Sequence, residues 1–154
     1  MKKFARYVFF LFLLMVLNGC SDTMWLTAET RTDEEIFGQI KRDLGIEIHG
    51  TLTQIDDWMA RDPHTLAYVK LDDTLLPEDL SSWQSGSMPD DILTGISIYE
   101  QTLPVMNEML EIASSDMIFW CFEDQSPDGY AYHDFIIGIY DPDASMLYYL
   151  YMTT

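Results

Sequence analysis

Cys121 and His133 are the two residues whose types could together make a nucleophile. The stretch Gln125-Ser126-Pro127-Asp128-Gly129 between them carries turn chemistry. A hairpin centred near Pro127 would set position 121 opposite position 133. A Cys beside a His is the core of thiol catalysis, in which the imidazole takes the thiol proton. The neighbours point the other way. Cys121 sits between Trp120 and Phe122, free Cys is among the most buried residue types, and a reactive thiolate needs a partly exposed, electropositive setting.

Asp141, Asp143 and Ser145 mimic the opening of a calcium loop. Such a loop needs Gly at its sixth position and an acid at its twelfth. Met146 and Met152 stand there instead, and Asp-Pro-Asp is also what a tight turn asks for. The acid pairs Asp56-Asp57, Asp72-Asp73, Glu78-Asp79 and Asp90-Asp91 could gather round a cation, but such pairs are commonly solvated faces or helix starts. A hydrolytic carboxylate pair is defined by geometry, not by spacing. His49, His64 and His133 have no metal-ligand spacing, and HExxH, CxxC, GxSxG and P-loop patterns are all missing. The sequence therefore assigns no catalytic residue, no metal and no cofactor. Cys121, His133, Asp141 and Asp143 remain its candidates.

Several elements would have to position these residues. Thr32-Asp33-Glu34-Glu35 is a capping box. Ile36, Phe37, Ile40 and Leu44 then mark one helical face, and Gly45 stops the helix. Lys41 and Arg42 sit in the last turn, where the helix dipole favours cations. Positions 46–53 alternate apolar and polar and read as a strand. Positions 55–61 read as a short helix with Ile55, Trp58 and Met59 on one side, ended by Asp62-Pro63. A strand over 65–71 and a loop with one helical turn over 72–87 follow. Ser87-Met88-Pro89-Asp90 starts a second helix with Ser87 as its cap, and Pro104 kinks or restarts it on the way to Ala113. Apolar runs over 117–122, 132–140 and 146–152 alternate with turns and predict a three-stranded antiparallel meander. The first run is apolar throughout, which predicts a central strand covered on both faces. The fold class expected is α+β: an antiparallel sheet with a C-terminal three-stranded meander, and helices packed on one face.

The N-terminus supplies the most specific motif. Lys2, Lys3 and Arg6 precede an uninterrupted apolar run over 8–17, and Leu17-Asn18-Gly19-Cys20 follows. The run is too short for a permanent span, which takes roughly 17–25 residues, but it suits a secretory signal. The order and spacing resemble the lipobox of bacterial lipoproteins. That resemblance implies a signal peptide over 1–19, diacylglycerol on the Cys20 thiol, and cleavage before Cys20. It further implies a lipidated tether over 20–31 and an extracytoplasmic location on a membrane of the cell envelope; the length that remains suits a single α+β domain over 32–154. More than one acyl chain makes such a tether firm. If Cys20 carries lipid, Cys121 has no partner for an intrachain disulfide. The strand, Asp-rich turn and Tyr-rich strand between Asp134 and Tyr151 loosely resemble the ends of small uncharacterised bacterial lipoproteins, which implies no activity.

Charge bounds the partners. The formal net charge is −18, and beyond the signal only Arg31, Lys41, Arg42, Arg61 and Lys70 face the 26 acids. Nucleic acid and anionic headgroups need Lys and Arg clusters and are excluded as partners of the protein surface. An acidic surface suits solubility, cations or a basic protein. Four Trp, nine Tyr and eight Phe give the chain enough apolar matter to fold. The expected function is a lipid-anchored, extracytoplasmic binding protein recognising a basic partner, in an oligomeric state the sequence leaves open. The alternatives are a small envelope hydrolase using carboxylates or Cys121, and a cation-binding lipoprotein.

Overall fold

The first element forms where the capping box predicts it. The computed structural model describes residues 31–58, 64–99, 103, 106–128 and 131–153. Helix α1 (Asp33–Leu44) is capped by Thr32, whose Oγ1 accepts from the Glu35 backbone N–H at 3.3 Å. The Glu35 carboxylate in turn accepts from the Thr32 backbone N–H at 2.8 Å. Gly45 ends the helix in the left-handed region at φ 70°, where a residue without a Cβ is unstrained. Ile36, Ile40 and Leu44 form the buried stripe.

Six strands make one sheet in the order β1-β2-β6-β5-β4-β3, with every neighbouring pair antiparallel. They are β1 (Gly50–Trp58), β2 (His64–Leu71), β3 (Gln84–Ser85), β4 (Phe119–Asp124), β5 (Phe135–Asp141) and β6 (Met146–Met152). Between β3 and β4 run α2 (Asp90–Ser97) and α3 (Met106–Ala113). The C-terminal meander β4-β5-β6 is present, as the three apolar runs predict.

Three expectations are corrected. Pairing of the first strand begins at Gly50 and runs on to Trp58, so residues 55–58 are strand where a short helix was expected; residues 59–61 lie outside the described residues. A continuous partner in β2 overrides the local i, i+3 spacing, with one register shift between Leu52 and Gln54. Ile46 and Ile48 are buried but unpaired in the sheet, and pack into the cluster beneath α1. Second, the N-cap of α2 is Pro89, with no side-chain cap from Ser87 or any other residue. Third, the central strands are β6 and β5; β4 lies next to the edge, flanked outside only by the two-residue β3.

The α+β class holds, while the helices are divided between the faces of the sheet. Leu66, Tyr68, Phe135, Ile137, Ile139, Tyr148 and Leu150 point to the side where Ile96, Met106 and Met109 pack. Ala67, Val69, Ile136, Tyr140, Leu147 and Tyr149 point to the side of Ile36, Ile40, Leu80 and Trp83. Thus α1 covers one face, helped by the 72–83 connection, and α2 with α3 covers the other. Successive strand side chains alternate between faces, so a strand covered on both sides reads as continuously apolar, as β5 and β6 do. Gly138 permits close approach on the α1 side: a Cβ there would stand 2.8 Å from Trp83 Cη2 and 2.9 Å from Leu44 Cδ1.

Candidate interaction surface

The residues that sequence reasoning pairs for catalysis are not brought opposite one another. Cys121 lies across from Gly138, and Asp124 from Phe135 at the inner end of the β4–β5 pairing. His133 precedes β5 and is exposed, with its backbone N–H donating to Ser126 Oγ at 2.8 Å. Beyond the Asp124–Phe135 pair one more backbone bond joins the Gln125 N–H to Asp134 O at 2.7 Å, and the Asp124 carboxylate accepts from the backbone N–H of Ser126 at 3.0 Å, folding the chain into a local turn. Cys121 packs at the margin of the cluster beneath α1. Burial pushes its thiol up to about 12, the reverse of activation for nucleophilic work.

Asp141 serves the backbone. Its Oδ1 accepts from the N–H groups of Asp143 at 2.9 Å and Ala144 at 3.1 Å, shaping the β5–β6 turn. Ser145 closes that turn at φ 50°, and Asp143 is exposed. Among the described residues no group of three or more His, Cys, Asp or Glu could hold a metal ion. Cys20 lies outside the described residues.

A polar seam between α1 and the sheet escapes sequence reading. The Arg31 guanidinium donates to Gln39 Oε1 and to Thr65 Oγ1, and the Tyr149 hydroxyl donates to Asp43 Oδ2. Gln39, Thr65 and Tyr149 are all buried. Burial, reinforced by the Asp43 carboxylate, holds the Tyr149 hydroxyl far above its ordinary range, so it stays protonated and acts as a donor. The seam spends its hydrogen bonds on docking α1. Another polar contact, His64 Nε2 to Asp56 Oδ1 at 3.4 Å, joins β2 to β1. Neither pattern has a sequence signature, because its members meet only through strand register and helix docking.

Charge is unevenly distributed along the chain. Lysine and arginine stop at Lys70, whereas sixteen acids follow it. On α1, three acids in the first turn are matched by Lys41 and Arg42 in the last. Lys41 also reaches Glu47 at 2.8 Å and holds its carboxyl below the usual range, chiefly through their hydrogen bond. That pair borders an open groove of ≈ 700 Å³ that includes Phe37, His49 and Asp72. Helices α2 and α3 have acids in the first turn and no base in the last. Asp90, Asp91, Glu108 and Glu111 are exposed there, as are Asp116, Glu123, Asp124 and Asp128 beyond them. No helix among the described residues is long and apolar enough to cross a membrane.

Comparison with protein-family models, with curated proteins and with solved structures yields no match.

Proposed function

We propose that this protein is a lipid-anchored, extracytoplasmic binding protein that recognises a basic protein through its acidic C-terminal half. The observation that carries this reading is the charge distribution: no Lys or Arg after Lys70, against sixteen acids. The acids of α2 and α3, helices that carry no Lys or Arg, give a field of one sign, which speeds encounter with a positively charged partner and falls with salt. The lipobox-like Leu17-Asn18-Gly19-Cys20 supports anchoring at Cys20. The raised thiol of Cys121 and the backbone duties of Asp141 weigh against hydrolase and calcium readings of those residues.

Two experiments test it. Cys20→Ala should abolish incorporation of labelled fatty acid and release the protein from membranes; undiminished labelling contradicts the anchor. Residues 21–154, used as bait on cell envelopes, should retain a defined basic protein at low salt and lose it as salt rises. Retention of nothing at low salt contradicts the binding reading.

A further inference from the structure

Helix α2 is thinly held by its own packing. Ile96 is its one fully buried side chain, with Ile92 and Leu93 only part-buried against the core, and neither end is closed by a side-chain cap or a left-handed residue. Ile98, just past its end, is 65% exposed. The chain is fixed on either side of the helix. Met88 is buried and its N–H donates to Ala113 O at 2.8 Å; Leu103 is buried in the core cluster on this face of the sheet. Segment 89–99 is therefore a flap between two anchored points.

What lies across the flap is the chain just before β5. Tyr132 has φ 61°, a region that a bulky side chain rarely adopts. Its ring rests on Gly95 in the middle of α2, where a Cβ would stand 2.5 Å from two ring carbons. The Tyr99 hydroxyl donates to the Tyr132 carbonyl at 2.7 Å. The strained residue is braced from behind. Asp124 accepts from the Tyr132 N–H at 3.4 Å, and Ser126 Oγ accepts from the N–H groups of His133 at 2.8 Å and Asp134 at 3.0 Å. Beneath flap and latch sit aromatic rings in contact: Phe122 with Tyr132 at 5.9 Å, Phe122 with Phe135 at 6.1 Å, and Tyr99 with Phe135 at 5.6 Å.

We propose that α2 is a flap over this aromatic cluster and that Tyr132, seated on Gly95 and tied to Tyr99, is the latch that keeps it shut. A non-glycine residue persists in a strained conformation only where its surroundings over-determine it. Here those surroundings are the helix it holds. Few buried side chains and missing caps place α2 at the low end of local stability. Its opening therefore precedes global unfolding and bares Phe122 and Phe135, while α1 and the central strands stay closed. This inference stands apart from the acidic-partner reading and does not need it.

The test is amide hydrogen exchange on the full chain. Amides at 93–99 should exchange at least about tenfold faster than those of β5 and β6, as a local opening requires. Tyr99→Phe keeps the ring on Phe135 and deletes the donor. It should speed exchange at 93–99 by about fivefold, the effect of one hydrogen bond, with α1 and β6 unchanged. Tyr132→Gly relieves the backbone yet removes the ring, and should also speed exchange at 93–99. Exchange of α2 at the rate of the central strands overturns the flap. Variants that leave 93–99 unchanged, or that raise every amide together, overturn the latch.

Discussion

Cys121 illustrates how little a residue's type says without its register. Five positions separate the expected partner, His133, from the observed one, Gly138. The Asp124 and Ser126 hydrogen bonds at the end of the hairpin are ordinary turn chemistry, but the register they accompany could not be read from composition. With its thiol pushed up to about 12 by burial, Cys121 should react with a thiol reagent at neutral pH far more slowly than the same residue in denaturant. Equal rates would place the thiol in solvent. Asp124 carries the opposite shift: its hydrogen bonds with Ser126, then with the Tyr132 N–H, hold its carboxyl below the usual range. A depressed carboxyl stabilises the fold above its unfolded value, and the contribution is lost as pH falls through the folded value. Exchange-detected opening at Ser126 and Tyr132 should therefore be flat through neutral pH and rise, relative to β6, only on acidification below the ordinary carboxylate range. A rise between pH 6 and 7 would assign the titration to another group.

At the scale of elements, sequence reading succeeds where signals are local. The capping box, the stripe Ile36, Ile40 and Leu44, and Gly45 specify α1 almost without help from the rest of the chain. The meander is legible because three apolar runs are punctuated by turn residues. It fails where pairing decides. Ile55 and Trp58 are spaced as on a helix, but β2 recruits them into β1. The division of helices between two faces leaves no local trace, since α1 and α2 each need only one apolar stripe. Gly138 makes the two-sided cover possible, because Trp83 and Leu44 come within 3 Å of where its Cβ would be. Gly138→Ala should lower stability by about 1–3 kcal/mol, as overpacked cores do, measured by chemical denaturation. An unchanged midpoint would mean that Trp83 and Leu44 withdraw freely.

Over the whole molecule, the organising feature is charge arranged along the chain. Lys and Arg are interspersed with acids up to Lys70, and none follows. The count was available from the sequence; which acids are exposed was not. The structure places Asp90, Asp91, Glu108 and Glu111 on the helical layer opposite α1. Like charges on one surface work against the compact state and toward association with the opposite sign. Charge of this kind bears on recognition and solubility, not on the choice of fold.

The most direct test is the affinity for the captured basic partner, measured from low to high salt, for the wild-type chain and for Glu108→Lys/Glu111→Lys. Affinity that falls steeply with salt, and falls further in the charge-reversed variant at low salt, is the result predicted. Affinity indifferent both to salt and to that reversal would contradict recognition through the acidic half.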